Sequence, residues 1–441
     1  MRGKRPSPLD RGATEEGALM ENGGTKQMTA DNATERGGRS WVIPFLATIF
    51  VMMTLQMSSL GFSPLLPEIQ KDFGMSFSQV GLFTGMYGLS ALLLSVPGGL
   101  LAKRFGEKKV LTGALLIVIL GLILLSQSWN IGSAFAGRGL WLLGYRPAFV
   151  CVMTAIAVTA PLSLRSRSMG VVGAISALAA AVGAPFGRAI GNEFGWRIGI
   201  LALTAMALLG VVVFYFFYAS RPAQETPRSE SGPAPAHSTR PSSHKKKTSV
   251  FRNPVVYALA LLEGIVGVGY FSSNFFIPPA VAAVFGPKAM SAAYILSTGF
   301  VLAIIANVLF GYLMDRFNKW NVMALMMLIL IPASLSMNSK ILPVFWVATA
   351  IVLAVGLSAA QQCFSLAAEL VTGREMGNVM GIVSLGPGVF GYLGPQALGW
   401  LRDWTGGFAA GWYFLAAVAA LALIEVLVLK SYVARPKAAF Q

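Results

Sequence analysis

Gly98-Gly-Leu-Leu-Ala-Lys-Arg-Phe-Gly-Glu-Lys-Lys109 is a short basic turn set between two long apolar runs, and it returns in altered form as Gly311-Tyr-Leu-Met-Asp-Arg-Phe-Asn-Lys319. A tight basic turn between two apolar stretches, written twice in one chain, predicts a helical unit that has been duplicated. The totals agree with that reading. Of 441 residues, 55% are hydrophobic and 12% are charged, far below the roughly 25% charged residues of soluble domains. The apolar residues fall in blocks close to the ~20 residues that a helix needs to cross the hydrocarbon. Within lipid every backbone amide has to be paired inside the chain, so runs of this length are helices.

The formal net charge of +16 raises the question of a nucleic-acid partner, and placement answers it. Most of the 34 Lys and Arg fall in the tails and in alternate loops that share one side of the predicted membrane. The positive-inside rule makes that side the cytoplasm, which puts both termini inside and requires an even number of spans. No nucleic acid is expected. Cys151 and Cys363 both lie within apolar runs, where a cysteine is a small buried hydrophobe. Neither a metal site nor a cofactor is expected, because no span places His, Cys or Asp at ligand spacing. The absence of a Walker A sequence, G-x-x-x-x-G-K-[ST], argues against direct use of ATP.

Residues 1–40 are polar and mixed in charge, and are read as a disordered cytoplasmic tail. A first set of six spans occupies 41–218, at about Trp41–Leu65, Val80–Ala102, Val110–Trp129, Ser133–Ala160, Met169–Gly191 and Ile198–Tyr218. Residues 219–252 are rich in Pro, Ser and Lys and read as a cytoplasmic linker. A second set fills 253–430, at about Val255–Phe276, Met290–Leu313, Val322–Met337, Leu342–Leu370, Val379–Trp400 and Trp412–Leu429, and leaves a basic tail over 431–441. A shift of 212 residues relates Gly74 to Gly286, Gly99 to Gly311 and Cys151 to Cys363, while Pro67 and Pro278 correspond at 211. The expected fold is therefore all-α: twelve transmembrane helices in two pseudo-symmetric six-helix bundles.

These features resemble the major facilitator superfamily of secondary transporters. Its loop signature, G-x-L-x-D-R-x-G-R-K, is matched by Gly99, Leu101, Arg104, Gly106 and Lys108, and again by Gly311, Leu313, Asp315, Arg316 and Lys319. Lys103 stands where the signature has Asp. In the family that aspartate joins a charged cytoplasmic latch, so the resemblance implies a latch through Asp315 and Arg316 that is weaker at the Lys103 copy, or that borrows Glu107. The inward-facing state would gain accordingly. Arg138 with Gly144 is similar to the family's R-x-x-x-G-x-G pattern in the fourth span. Gly183-Ala184-Pro185 is similar to the G-P-x-x-G-G of drug antiporters, but lacks most of its glycines.

A charge in mid-bilayer costs roughly 2.5–3.5 kcal/mol on insertion scales, so each one needs a partner or a task. Glu263 in the seventh span and Arg146 in the fourth are the outstanding cases. The family holds its substrate between the halves, chiefly on spans 1, 4, 7 and 10, which carry Gln56, Arg146, Glu263 and Gln361 here. The resemblance thus implies that Arg146 takes the negative group of a small solute, helped by Gln56, Gln361, Tyr87 and Asn274. Glu263 would carry a coupling proton, since a carboxyl removed from water favours its neutral form. The alternative is an Arg146–Glu263 ion pair that only tethers the halves. The expected function is secondary transport of a small solute, an organic anion with proton symport, across a bacterial inner membrane by a monomer that performs no chemistry on its substrate. A proton-coupled drug exporter and a transporter-like solute receptor are the rival readings.

Overall fold

The computed structural model describes residues 42–159, 165–218, 254–286, 289–369 and 376–434. The two tails and the linker lie outside the described residues, as does the side chain of Lys103. In the first half, α1 (Val42–Leu60) is prolonged by a 3-10 turn, Ser63–Leu65, and by a short helix, Leu66–Phe73. It is followed by α2 (Phe77–Phe105), α3 (Glu107–Ser126), α4 (Ile131–Thr159), α5 (Arg165–Phe194) and α6 (Trp196–Phe217). The second half comprises α7 (Pro254–Phe285), α8 (Ala289–Arg316), α9 (Lys319–Ser336), α10 (Leu342–Glu369), α11 (Met376–Val383 and Leu385–Thr405) and α12 (Ala409–Ala434). Most helices extend a few residues past the apolar runs, because the backbone ladder continues after side chains have become polar.

Eleven of these helices are long and apolar enough to cross a membrane. The remaining segment, α11, is broken at Ser384 instead of running unbroken as expected. Pro387 supplies the reason, since it lacks the N–H that would bond the carbonyl of Val383 and its ring crowds that carbonyl. Side chains such as Leu120, Phe216, Val308 and Ile424 are exposed around the outside. An apolar belt of this kind suits a lipid surface.

The two signature turns are built differently. At Gly106 the chain reverses on one residue with φ 86°, a value that glycine adopts without strain. Its counterpart Asn318 instead caps α9, with Oδ1 accepting from the amides of Trp320 and Asn321 at 3.0 and 3.3 Å. The repeat is visible at the other end, where Gly74 and Gly286 both take positive φ, 61° and 80°.

Within the first half, α3 and α4 approach closely: a Cβ on Gly121 would lie 2.1 Å from the backbone nitrogen of Trp141, and one on Gly144 would lie 2.4 Å from the Ala114 carbonyl oxygen. The halves meet along α2 and α11 and along α5 and α8. On α2 the close approaches run from Gly81, which faces Pro395, through Gly85 and Gly88, which face Tyr392, to Leu92, which faces Gly388. Asp403 seals the start of this seam by accepting from the amides of Phe77 and Ser78 at 2.9 and 2.7 Å, and from Ser78 Oγ at 2.6 Å. Farther along α2, toward the signature turn, Leu93, Val96, Leu100 and Phe105 are exposed. These contacts join the halves at the end opposite the signature turns.

Candidate functional site: an arginine on an aromatic bridge

α4 brings Tyr145, Arg146 and Phe149 to the middle of the molecule. Its Pro147 sits inside the helix against Gly98 of α2, where a Cβ would lie 2.8 Å from the Pro147 Cα. That close approach sets α2 beside Arg146. The Arg146 guanidinium carbon is 4.9 Å from the centre of the Tyr87 ring and 5.6 Å from that of Phe149. Faces of aromatic rings attract a cation without using its N–H donors. Among the described residues no protein group accepts a hydrogen bond from Arg146, whose Nε is buried without a partner while the side chain as a whole is half-buried.

Tyr87 extends the contact across the halves. Its ring lies 5.6 Å from Tyr145 and 5.4 Å from Phe271 of α7, and Phe271 lies 5.0 Å from Tyr270. Such edge-to-face and tilted pairs contribute about 0.5–1.5 kcal/mol each beyond their area. Gln56 of α1 joins from the other side, with its Oε1 accepting from the Tyr145 hydroxyl. Gln56, Tyr87 and Arg146 are thus brought together by residues that the sequence reading had not singled out, Tyr145, Phe149 and Phe271. A tyrosine or phenylalanine in an apolar run carries no mark that separates a bridge from ordinary packing.

Glu263 faces inward from α7, 4% exposed, and its Oε2 has no hydrogen-bond partner. Arg146 and Glu263 lie close enough to attract each other, yet make no direct ion pair. The purely tethering alternative therefore lacks its contact in this conformation. Among the described residues the ion pairs are Arg188–Glu68 and Arg197–Asp72, both at 2.6 Å and both inside the first half near its closed end.

One expected substrate contact, Asn274, lies away from this centre. Asn274 is about three turns along α7 from Glu263, 1% exposed, and its carbonyl accepts from the Ser63 hydroxyl at the meeting of the halves. Both of its amide atoms are without partners. Gln361 is exposed on α10, while its neighbour Gln362 is the buried one, 8% exposed, with Nε2 near Gly311. Of the signature residues, Arg104, Asp315 and Arg316 are exposed, and Arg104 and Arg316 lie against Phe105 and Tyr312 of their own helices. Glu107 accepts from the Tyr218 hydroxyl at 3.2 Å, which ties α3 to the end of α6. A groove of about 700 Å³ between α9 and α10, lined by Leu328, Pro332, Val347 and Ile351, is apolar and touches none of the central residues.

Twelve helices in two related sets, closed on each other at one end around a buried centre with few charges, are the architecture of a membrane carrier. A sequence model of the Major Facilitator Superfamily matches residues 45–360 and 259–440, and the chain belongs to that superfamily of transporters. Among solved structures it is similar to a bacterial homologue of the human lysosomal transporter Spinster. The inward-facing, occupied form gives a TM-score of 0.71 at 16% identity, covering 89% of this chain and 96% of that one. The unoccupied form of the same protein gives 0.70 at 15%, with 89% and 96% covered. A variant of the nucleoside transporter NupG gives 0.70 at 13%, covering 88% and 99%. At these identities the likeness concerns the fold.

Proposed function

We propose that this transporter carries a small organic anion together with a proton, by rocking its halves about the aromatic bridge. The observation that carries this reading is Arg146, whose charge is held on the faces of Tyr87 and Phe149 while its donors stay free of protein partners. A planar guanidinium with unused forked donors suits a carboxylate. Glu263, buried without a hydrogen bond to Oε2, is the group suited to take up and release the proton as the anion arrives and leaves. Basic residues in the signature loops favour a cytoplasmic location for that end, with both termini inside and the protein a monomer in the cell membrane. On that orientation the conformation described here is closed to the outside.

A drug exporter is the second reading, favoured by the same aromatic bridge, since ring faces accept many flat ligands. Flux in proteoliposomes separates the two. Uptake of a carboxylate down a proton gradient, abolished by Arg146→Ala with insertion intact, is the expected outcome. Extrusion of lipophilic cations, or wild-type carboxylate flux in Arg146→Ala, overturns the anion reading. Glu263→Gln is expected to stop proton-linked uptake while leaving anion exchange.

A further inference from the structure

A second arginine of α4 sits two turns from Arg146 and has been left without a hydrogen-bond partner. Arg138 is fully buried, at 0% exposure, between Phe62 in the turn after α1, Phe83 of α2 and Trp141 of its own helix. Its guanidinium carbon lies 4.6, 5.7 and 4.2 Å from the centres of those three rings. Nε and both terminal nitrogens lack hydrogen-bond partners. The other arginines at this end are treated differently: buried Arg188 has Glu68 at 2.6 Å and the Pro64 carbonyl at 3.2 Å, and the more exposed Arg197 has Asp72. Those two carboxylates are therefore engaged. A guanidinium carries five N–H donors, and aromatic faces attract its charge without satisfying one of them.

The cage adjoins the bridge. Phe83 is one helical turn before Tyr87 on α2, Trp141 is one turn before Tyr145 on α4, and Arg138 itself lies two turns before Tyr145, on the same face. Arg138 and Arg146 are thus about 12 Å apart along the axis of α4 and about 80° apart around it. Arg138 is on the side toward the closed end, and Arg146 on the side toward the signature turns. The same physical device, a cation on ring faces with unused donors, occurs at both. Gly144, its companion in the fourth-span pattern, is occupied with the close packing of α3.

We propose that Arg138 is a second anion-binding position, filled when the end closed here opens, so that an anion crossing the protein passes between Arg138 and Arg146 over the Tyr87–Tyr145 pair. The occupant is a small anion, either the carboxylate substrate or an inorganic ion. This rests on the reading of Arg146 as the anion's ligand.

Thermal unfolding of the purified full chain tests it, with acetate or chloride titrated against a bulky sulfonate that keeps ionic strength constant. Arg146→Ala is expected to retain a saturable stabilisation by acetate, chloride or both, and the double variant Arg146→Ala/Arg138→Met to lose it. Response to acetate alone makes a carboxylate the occupant, and response to chloride adds an inorganic ion; both support the proposal. Without added anion, Arg138→Met is expected to melt no lower than the wild type, because it removes a buried charge and fills the cage. Arg138→Lys keeps the charge and is expected to keep the response in the Arg146→Ala background.

Four results overturn the proposal: no anion response in Arg146→Ala, an undiminished response in the double variant, no response in the Lys variant, or a lowered melting point in Arg138→Met with its response intact. Failure of the Arg146 reading is distinct, since Arg146→Ala would then keep wild-type carboxylate flux.

Discussion

Ser63 and Asn274 are 211 residues apart, the same offset that relates Pro67 to Pro278, and the hydroxyl of the first donates to the main-chain carbonyl of the second. Equivalent positions of the two repeats therefore touch each other, which places the contact on the pseudo-twofold axis. Pro278 explains why the carbonyl is available, since a proline four residues on in α7 cannot donate to it. The hydroxyl of Ser63 supplies the missing bond across the halves. A cysteine pair at these two positions is expected to cross-link on oxidation and to stop transport, with activity returning on reduction. Cross-linking with undiminished flux would show that this end need not open. Ser63→Ala, which removes about 1 kcal/mol of net hydrogen bonding, is expected to shift the resting protein several-fold toward the other state.

Gly88 tests the seam itself. A Cβ there would stand 2.3 Å from the Tyr392 nitrogen and 2.5 Å from the Gly391 carbonyl carbon. Gly88→Leu is expected to keep α2 and α11 apart, because overpacking of this kind costs typically 1–3 kcal/mol and backbone has no rotamer to yield. Spin labels on the closed ends of the two helices should report a longer distance, with transport lost and the amount of inserted protein unchanged. An unaltered distance would contradict the seam described here.

Glu425 lies in α12, and both of its carboxylate oxygens are buried without partners. Among the described residues it has neither a hydrogen bond nor an ion pair. Unsatisfied buried polar atoms cost about 1–3 kcal/mol each. Glu425→Met, similar in volume, is therefore expected to raise the melting temperature by roughly 2–4 °C or more. A fall would mean that the carboxyl has a partner in the working protein.

Lys103 occupies the position where the signature of the superfamily has aspartate. Lys103→Asp is expected to strengthen the closure of the signature end and reduce labelling of a cavity cysteine from that side. Unchanged accessibility from both sides would remove the latch from the account.

The spans were legible because hydropathy answers directly to the solvent around a helix, and the repeat because glycine and proline fix backbone at the same places in both halves. Even the break in α11 was written in Pro387, although an apolar average conceals it. The centre was legible where charge and depth conflict, as at Arg146 and Glu263. It was not legible where a choice depends on rotation about a helix axis: Gln361 and Gln362 are neighbours in sequence, and about 100° of helical turn leaves the first exposed and the second buried. Asn274 shows a related limit, because a polar residue in a span can serve a seam as well as a solute, and only its distance from Glu263 along α7 tells the two apart. Tyr145 was hidden for a third reason, since its value lies in Gln56 and Tyr87, both distant in the chain.

Because Gly81, Gly85, Gly88 and Gly388 bring the backbones of α2 and α11 together, these positions have no side-chain order to lose when the helices meet. Such a joint behaves as a smooth bearing more than as a glued face. It lets two shapes of the molecule lie near one another in free energy, so that a single bound solute is enough to decide between them.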